Sequence, residues 1–202
     1  MARPVKRTQS TQRANAPYVS PLAEKIIKTI ETETQDAQFA RSLHISPTAL
    51  THIKRTIAAG GTIVVDTQLM EADIDMKLLE GTTASIKCFI DDPEVVKLAQ
   101  IRRTTRAEIA VDIALALPGP KLMVIGSAPA ALNRILIRRK SEPLSDVSVL
   151  AAPTGFATVV QLKERLRDSD MAYIVARGKT GGVSQTTQLL NTILKAIREE
   201  NQ

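Results

Sequence analysis

The sequence predicts an α/β fold: a single domain with a mostly parallel five-stranded sheet and helices on both faces. Three observations point there. Short β-rich runs alternate with longer stretches of helical spacing. Four of the five runs finish in Gly, Pro, Asp or Arg, the residues expected where a strand breaks into a turn. The helices that follow carry recognisable start signals.

In chain order, Ser46 before Pro47 marks a helix over 47–58, and GTIVVD (61–66) reads as the first strand, ending in Asp66. ASIKCFI (84–90) is the second, followed by Asp92-Pro93 as a helix start. Thr105, with Glu108 three residues later, forms a capping box. KLMVIG (121–126) is the third strand. It runs into Gly126-Ser127-Ala128-Pro129, a tight turn with proline at the first helical position, where its missing N–H does no harm. VSVLAA (147–152) and AYIVA (172–176) complete the sheet. They are followed by Pro153-Thr154-Gly155-Phe156 and by Arg177-Gly178-Lys179-Thr180-Gly181-Gly182. The last helix, 184–198, carries Leu189, Leu190, Ile193, Leu194 and Ile197 on one face.

The chain has 202 residues, 44% hydrophobic and 24% charged, which is enough for one well-buried domain. No apolar run approaches the roughly 20 residues that span a bilayer, and the N-terminus lacks the apolar core of a signal peptide. One cysteine, Cys88, has no partner for an internal disulfide, which agrees with a reducing compartment. A cytoplasmic protein is therefore expected. The net charge of +6 favours anionic partners. Arg3, Lys6, Arg7 and Arg13 all precede the first acidic residue, Glu24, so residues 1–17 read as a disordered basic tail and 18–202 as the folded domain. Three Phe, two Tyr and no Trp leave little to stack on bases, which argues against nucleic acid.

In a sheet of this kind ligands collect outside the carboxyl ends of the strands, so the turns after the strands are the candidate site. Gly178-Lys179-Thr180 imitates the tail of a phosphate-binding P-loop, but the glycine required five positions earlier is Tyr173. No Gly-x-Gly-x-x-Gly fingerprint, zinc-spaced cysteine pair or Gly-x-Ser-x-Gly elbow is present.

Taken in order, the strand-end segments resemble those of the precorrin-8X methylmutase family. Residues 45–66 are similar to the family's Phe-Ser-Pro-Gly-Ala helix leading into a strand that ends in Asp, and Cys88 sits where the family often has cysteine. Thr105-Arg106 resembles its Thr-Arg helix start, and residues 126–132 its Gly-Asn-Ala-Pro-Thr-Ala-Leu. Residues 153–156 resemble Pro-Val-Gly-Phe, with Lys163-Glu164 matching a Lys-Glu farther on, and residues 178–182 resemble Gly-Arg-Arg-Gly-Gly.

The resemblance implies a methyl migration from C11 to C12 of a corrin precursor in cobalamin biosynthesis, an isomerisation that needs no metal, nucleotide or other cofactor. It also implies a homodimer with pockets near the interface. Such a reaction asks for cations and N–H groups to hold a polycarboxylated ring, and for an acid to protonate it. Arg106 is expected to pair a substrate carboxylate. The N–H groups of Gly126, Ser127 and Ala128, beside Pro129, and those at Gly155 and Phe156 are expected to receive others, with Arg177 or Lys179 closing over the ring.

The departures concern the acid. The family's Arg-x-Ile-His-Thr-Thr-Gly-Asp segment places its catalytic histidine fourteen residues before Ser-Pro, which without gaps is Thr32; Thr34 and Asp36 match, and Gln35 replaces the Gly. A threonine hydroxyl is a very poor proton donor at neutral pH. Arg41-Ser-Leu-His44 offers an alternative register at the expense of about a dozen deleted residues, and His52 reads as an ordinary helical residue. Ser127 replaces an Asn, Gln161-Leu162 a Glu-Ser pair, Asp73 a Gly and Val183 a Ser. Two readings stand: a divergent methylmutase, or a non-catalytic protein that binds a corrinoid or other anionic ligand.

Overall fold

The computed structural model describes residues 20–200; the basic tail read at 1–17 lies outside them. Six strands form one sheet: β1 (Leu43–Ile45), β2 (Thr62–Val65), β3 (Ser85–Cys88), β4 (Lys121–Ile125), β5 (Val147–Ala151) and β6 (Ala172–Ala176). Their order is β1-β6-β5-β4-β2-β3. The five strands read from the sequence are all present as β2 to β6 and are parallel to one another. The central ones are buried along their whole length, as strands covered on both faces must be.

The sixth strand, β1, is an addition to the expected five. It pairs antiparallel with β6, His44 opposite Val175. Three residues are too short to display an alternating pattern, so nothing in the sequence separates it from a loop.

Helices α1 (Pro21–Thr34), α3 (Ala49–Ala58), α4 (Gln68–Asp73) and α9 (Val183–Glu200) pack on one face of the sheet with Ile63, Leu122 and Ile174. Short α2 (Ala37–Ser42) joins them through Phe39 and Ala40. Helices α6 (Arg106–Ala116), α7 (Pro129–Ser141) and α8 (Ala157–Arg167) cover the other face over Val64, Met123 and Val149. Helix α5 (Pro93–Arg102) leans on α6.

The start signals are met at Asp92, whose carboxylate accepts from Glu94 N, and at Thr105–Glu108, where both halves of the capping box form. They fail at Ser46. The helix there begins two residues after Pro47, at Ala49, and the buried Ser46 hydroxyl accepts from Tyr173 N at 2.9 Å instead. Ser46 ties the chain to β6 rather than capping a helix.

After β2 the chain builds β3 on one side, then crosses to build β4, β5 and β6 on the other. The topological switch point therefore falls between β2 and β4, where ligand crevices form in open parallel sheets.

Candidate functional site at the strand carboxyl ends

At the switch point the protein supplies its own anion. Asp66, the residue after β2, accepts from Gly126 N (3.2 Å), Ser127 N (2.8 Å) and Ala128 N (2.7 Å). Burial pushes the Asp66 carboxyl up from its ordinary value, while the three N–H donors pull the other way and favour the ionised form. This corrects the reading of the turn as a ligand cradle: its N–H groups are taken within the chain. Gly126 has no room for a side chain, because a Cβ there would sit 2.4 Å from Met70 Cε. Ser127 is exposed at the top of the turn, with Pro129 at the first position of α7. Beneath it, a small recess of about 20 Å³ is lined by apolar residues and by Asp66.

The next two turns lock onto each other. Gly182 N donates to Ala152 O at 2.7 Å, and Gly181, at φ +125°, passes so close that a Cβ would fall 1.9 Å from the same oxygen. Phe156, the residue before α8, is 80% exposed, with the Lys179 ammonium 5.4 Å from its ring centre. Arg177 reaches back to Glu164, Nε to Oε1 at 3.2 Å. Gly155, Phe156, Arg177 and Lys179 thus form one contiguous rim beside Ser127.

Helix ends on this rim differ from those elsewhere. Helices α1, α4, α5 and α6 each begin with a side-chain cap and an acidic residue in the first turn. Helices α7, α8 and α9, which follow β4, β5 and β6, carry no acid there, and α7 and α8 have no side-chain cap. Asp66 serves the turn before α7, and the starts of α8 and α9 present their positive ends unopposed. With Arg177 and Lys179 above them, the edge is electropositive.

Arg106 stands on the same edge at the β3 side, separated from the 177–182 loop by the ends of β2, β4 and β5. Its Nη1 donates to Asp91 Oδ1 at 2.8 Å, so a ligand carboxylate would compete with Asp91 for it.

Of the two candidate acids, Thr32 lies away from this group and His44 borders it. Thr32 is exposed on α1, and its hydroxyl donates to Lys28 O at 3.0 Å. The adjacent Glu33 accepts from Thr192, nine residues into α9, which is about 13 Å down that helix from the rim. His44 faces the α8 side of the sheet, its ring stacked on Tyr173 at 5.7 Å and Nδ1 3.1 Å from the Tyr173 hydroxyl, and it borders the rim at Arg177. Burial, then the Arg167 and Arg177 guanidiniums, hold its pKa below the ordinary 6.5, so His44 is a neutral imidazole at pH 7.

Two residues that hold the rim together were not singled out as site residues by the sequence. Asp66 was read only as a strand end. Lys163 was a motif match, yet it is fully buried, its ammonium donating to Gly178 O at 3.1 Å and Thr180 O at 2.7 Å. A buried lysine in an amphipathic helix has no signature of its own. Its neighbours Leu162 and Leu166 on the buried face were the available hint.

The site therefore defines an α/β protein with a positively charged strand-end rim. The family model for precorrin-8X methylmutase matches residues 6–196. Cobalt-precorrin-8 methylmutase of Salmonella typhimurium is 33% identical over 183 residues, covering 90% of this chain and 85% of the relative. That of Methanothermobacter thermautotrophicus is 27% identical over 90% of this chain and 84% of its own. Two solved structures share the fold. A precorrin-8X methylmutase related protein has TM-score 0.79 at 22% identity, covering 92% of this chain and 95% of its own. The precorrin-8X methylmutase of Thermus thermophilus has TM-score 0.78 at 24% identity, covering 93% and 91%. The chain belongs to the precorrin-8X methylmutase family.

Proposed function

We propose that the protein serves cobalamin biosynthesis by taking a polycarboxylated corrin precursor, precorrin-8, on the rim formed by Ser127, Gly155, Phe156, Arg177 and Lys179. We further propose that it carries out the C11-to-C12 methyl migration slowly, for want of an acid. One observation carries the second half: Thr32, at the family's acid position in the ungapped register, has its hydroxyl turned into its own helix, and His44, which borders the rim, is tied to the Tyr173 hydroxyl. Since a positioned general acid typically contributes roughly 10²- to 10⁴-fold, ligand binding is retained while most turnover is lost.

In this reading Arg177 and Lys179 meet ring carboxylates, the exposed starts of α8 and α9 add positive field, and Phe156 offers a flat apolar face to the macrocycle. Arg106 takes a further carboxylate once Asp91 is displaced. The site residues call for no metal or organic cofactor. A cytoplasmic homodimer is part of the same proposal, supported by exposed Leu69, Met76 and Ile101 and by the unpaired edge of β3.

A second reading, a non-catalytic protein for a corrinoid or related anion, is favoured by the self-satisfied Thr32 hydroxyl. Anaerobic incubation with precorrin-8, followed by absorbance for the hydrogenobyrinate chromophore with binding measured in parallel, separates the two. Slow conversion supports the first reading, and saturable binding without conversion supports the second. Failure to bind would defeat both.

A further inference from the structure

The loop that carries Arg177 and Lys179 is held from below by a cation. Lys163 enters it from α8 with no exposed surface, and its ammonium finds two main-chain carbonyls, Gly178 O and Thr180 O, and no carboxylate. Two carbonyls that would otherwise point outward are thus drawn into the interior.

The rest of the loop is fastened by main-chain and hydroxyl bonds and, at Arg177, by the ion pair with Glu164. Arg177 N donates to Ser42 O at 2.9 Å, the Thr180 hydroxyl to Ser42 Oγ at 2.9 Å, and Gly182 N to Ala152 O. Those bonds fix the two ends and Thr180. Between them the Thr180 hydroxyl also lies 3.1 Å from Arg177 O, Gly178, at φ +70°, leaves the backbone free to turn over, and Lys163 holds the carbonyls on both sides of Lys179.

We propose that Lys163 is a positioning residue for anion recognition: by holding the carbonyls of Gly178 and Thr180 inward, it fixes the loop so that the Lys179 and Arg177 side chains face the ligand and no carbonyl dipole opposes it. The recognition half of this proposal rests on the rim being the ligand site. The loop half stands by itself.

Burial pushes the Lys163 pKa down to about 8, so its grip weakens within an accessible pH range. The charged groups around it are Glu164 and Arg167 on α8, Arg177 and Lys179 on the loop, and His44 on β1. None of them bonds to Nζ among the described residues, and His44 titrates below 6.5, outside that window.

The test is amide hydrogen exchange on the whole chain, wild type against Lys163→Met, with hydrogenobyrinate as the binding probe. In Lys163→Met, amides 178–180 are expected to exchange at least tenfold faster while those of β4 and of 126–128 stay protected, and hydrogenobyrinate affinity is expected to fall about tenfold. Wild-type affinity declines as pH rises through about 8, a step missing from the variant. Unchanged loop protection in a folded variant overturns the proposal. Should the variant not fold, carbonyl ¹³C shifts of Gly178 and Thr180 in the wild type decide: they move in one shared step with the Lys163 ammonium, or the proposal fails. Loosened amides in a protein whose wild type never binds hydrogenobyrinate would uphold the clamp and overturn its role in recognition.

Discussion

The turn after β4 and the loop after β6 are held by opposite charges. At β4 a buried carboxylate, Asp66, gathers three N–H groups; at β6 a buried ammonium, Lys163, gathers two carbonyls. Each charge is solvated by backbone dipoles, which is what makes its burial tolerable. The outward effect differs. Asp66 consumes the positive field of its turn and leaves the neutral Ser127 on show, whereas Lys163 hides the loop's negative ends and leaves Arg177 and Lys179 dominant. Positive charge is thereby concentrated on the β5–β6 side of the edge.

The largest expected effect on this contrast is in the pH dependence of stability. A lysine whose pKa is about 8 when folded, against about 10.4 unfolded, binds its proton more tightly in the unfolded chain. Stability from this group is therefore lowest below pH 8 and rises between 8 and 10.4, by about 3 kcal/mol. Urea denaturation at pH 7 and pH 10 should show that gain in the wild type relative to Lys163→Met, and a flat difference between the two would break the comparison on the cation side. On the anion side, Asp66→Asn presents an NH₂ to N–H donors and leaves at least one of them without an acceptor. A loss of about 2 kcal/mol by the same measurement is expected, since an unsatisfied buried donor costs about 1–3 kcal/mol. A neutral result would mean that the turn holds itself.

The fold was legible because its signals are long and periodic. Five parallel strands, four of them buried throughout, and the apolar stripe of α9 each repeat over enough residues to be read, while β1 is three residues long and was not. The site was legible only as a set of places. Gly126, Gly155, Phe156, Arg177 and Lys179 lie on the edge where strand-end turns must lie. What the turns do with their N–H and C=O groups depends on residues 60 positions earlier in the case of Asp66 and Gly126, and no local pattern reports such a partnership. Arg106 illustrates the same limit, because Asp91, its partner, is fifteen residues away across another helix.

Smaller effects sharpen the asymmetry of the rim. Lys179→Ala should weaken hydrogenobyrinate binding about fivefold to tenfold, the scale of one hydrogen bond of about 1 kcal/mol, as read by absorbance titration. Arg106→Ala and Arg177→Ala should each weaken it about twofold or less, because Asp91 and Glu164 already occupy their guanidiniums. Equal losses at all three positions would show that the ligand spans the whole edge rather than the β5–β6 side.

The central claim, that ligand binding has been kept while the acid has been lost, is tested most directly by anaerobic incubation of the wild-type protein with precorrin-8 under single-turnover conditions. The proposal predicts a saturable shift of the bound chromophore followed by conversion to hydrogenobyrinate that is at least a hundredfold slower than that of the Thermus thermophilus relative run alongside. Conversion at the relative's rate, abolished by His44→Ala, would contradict it and make His44 the acid.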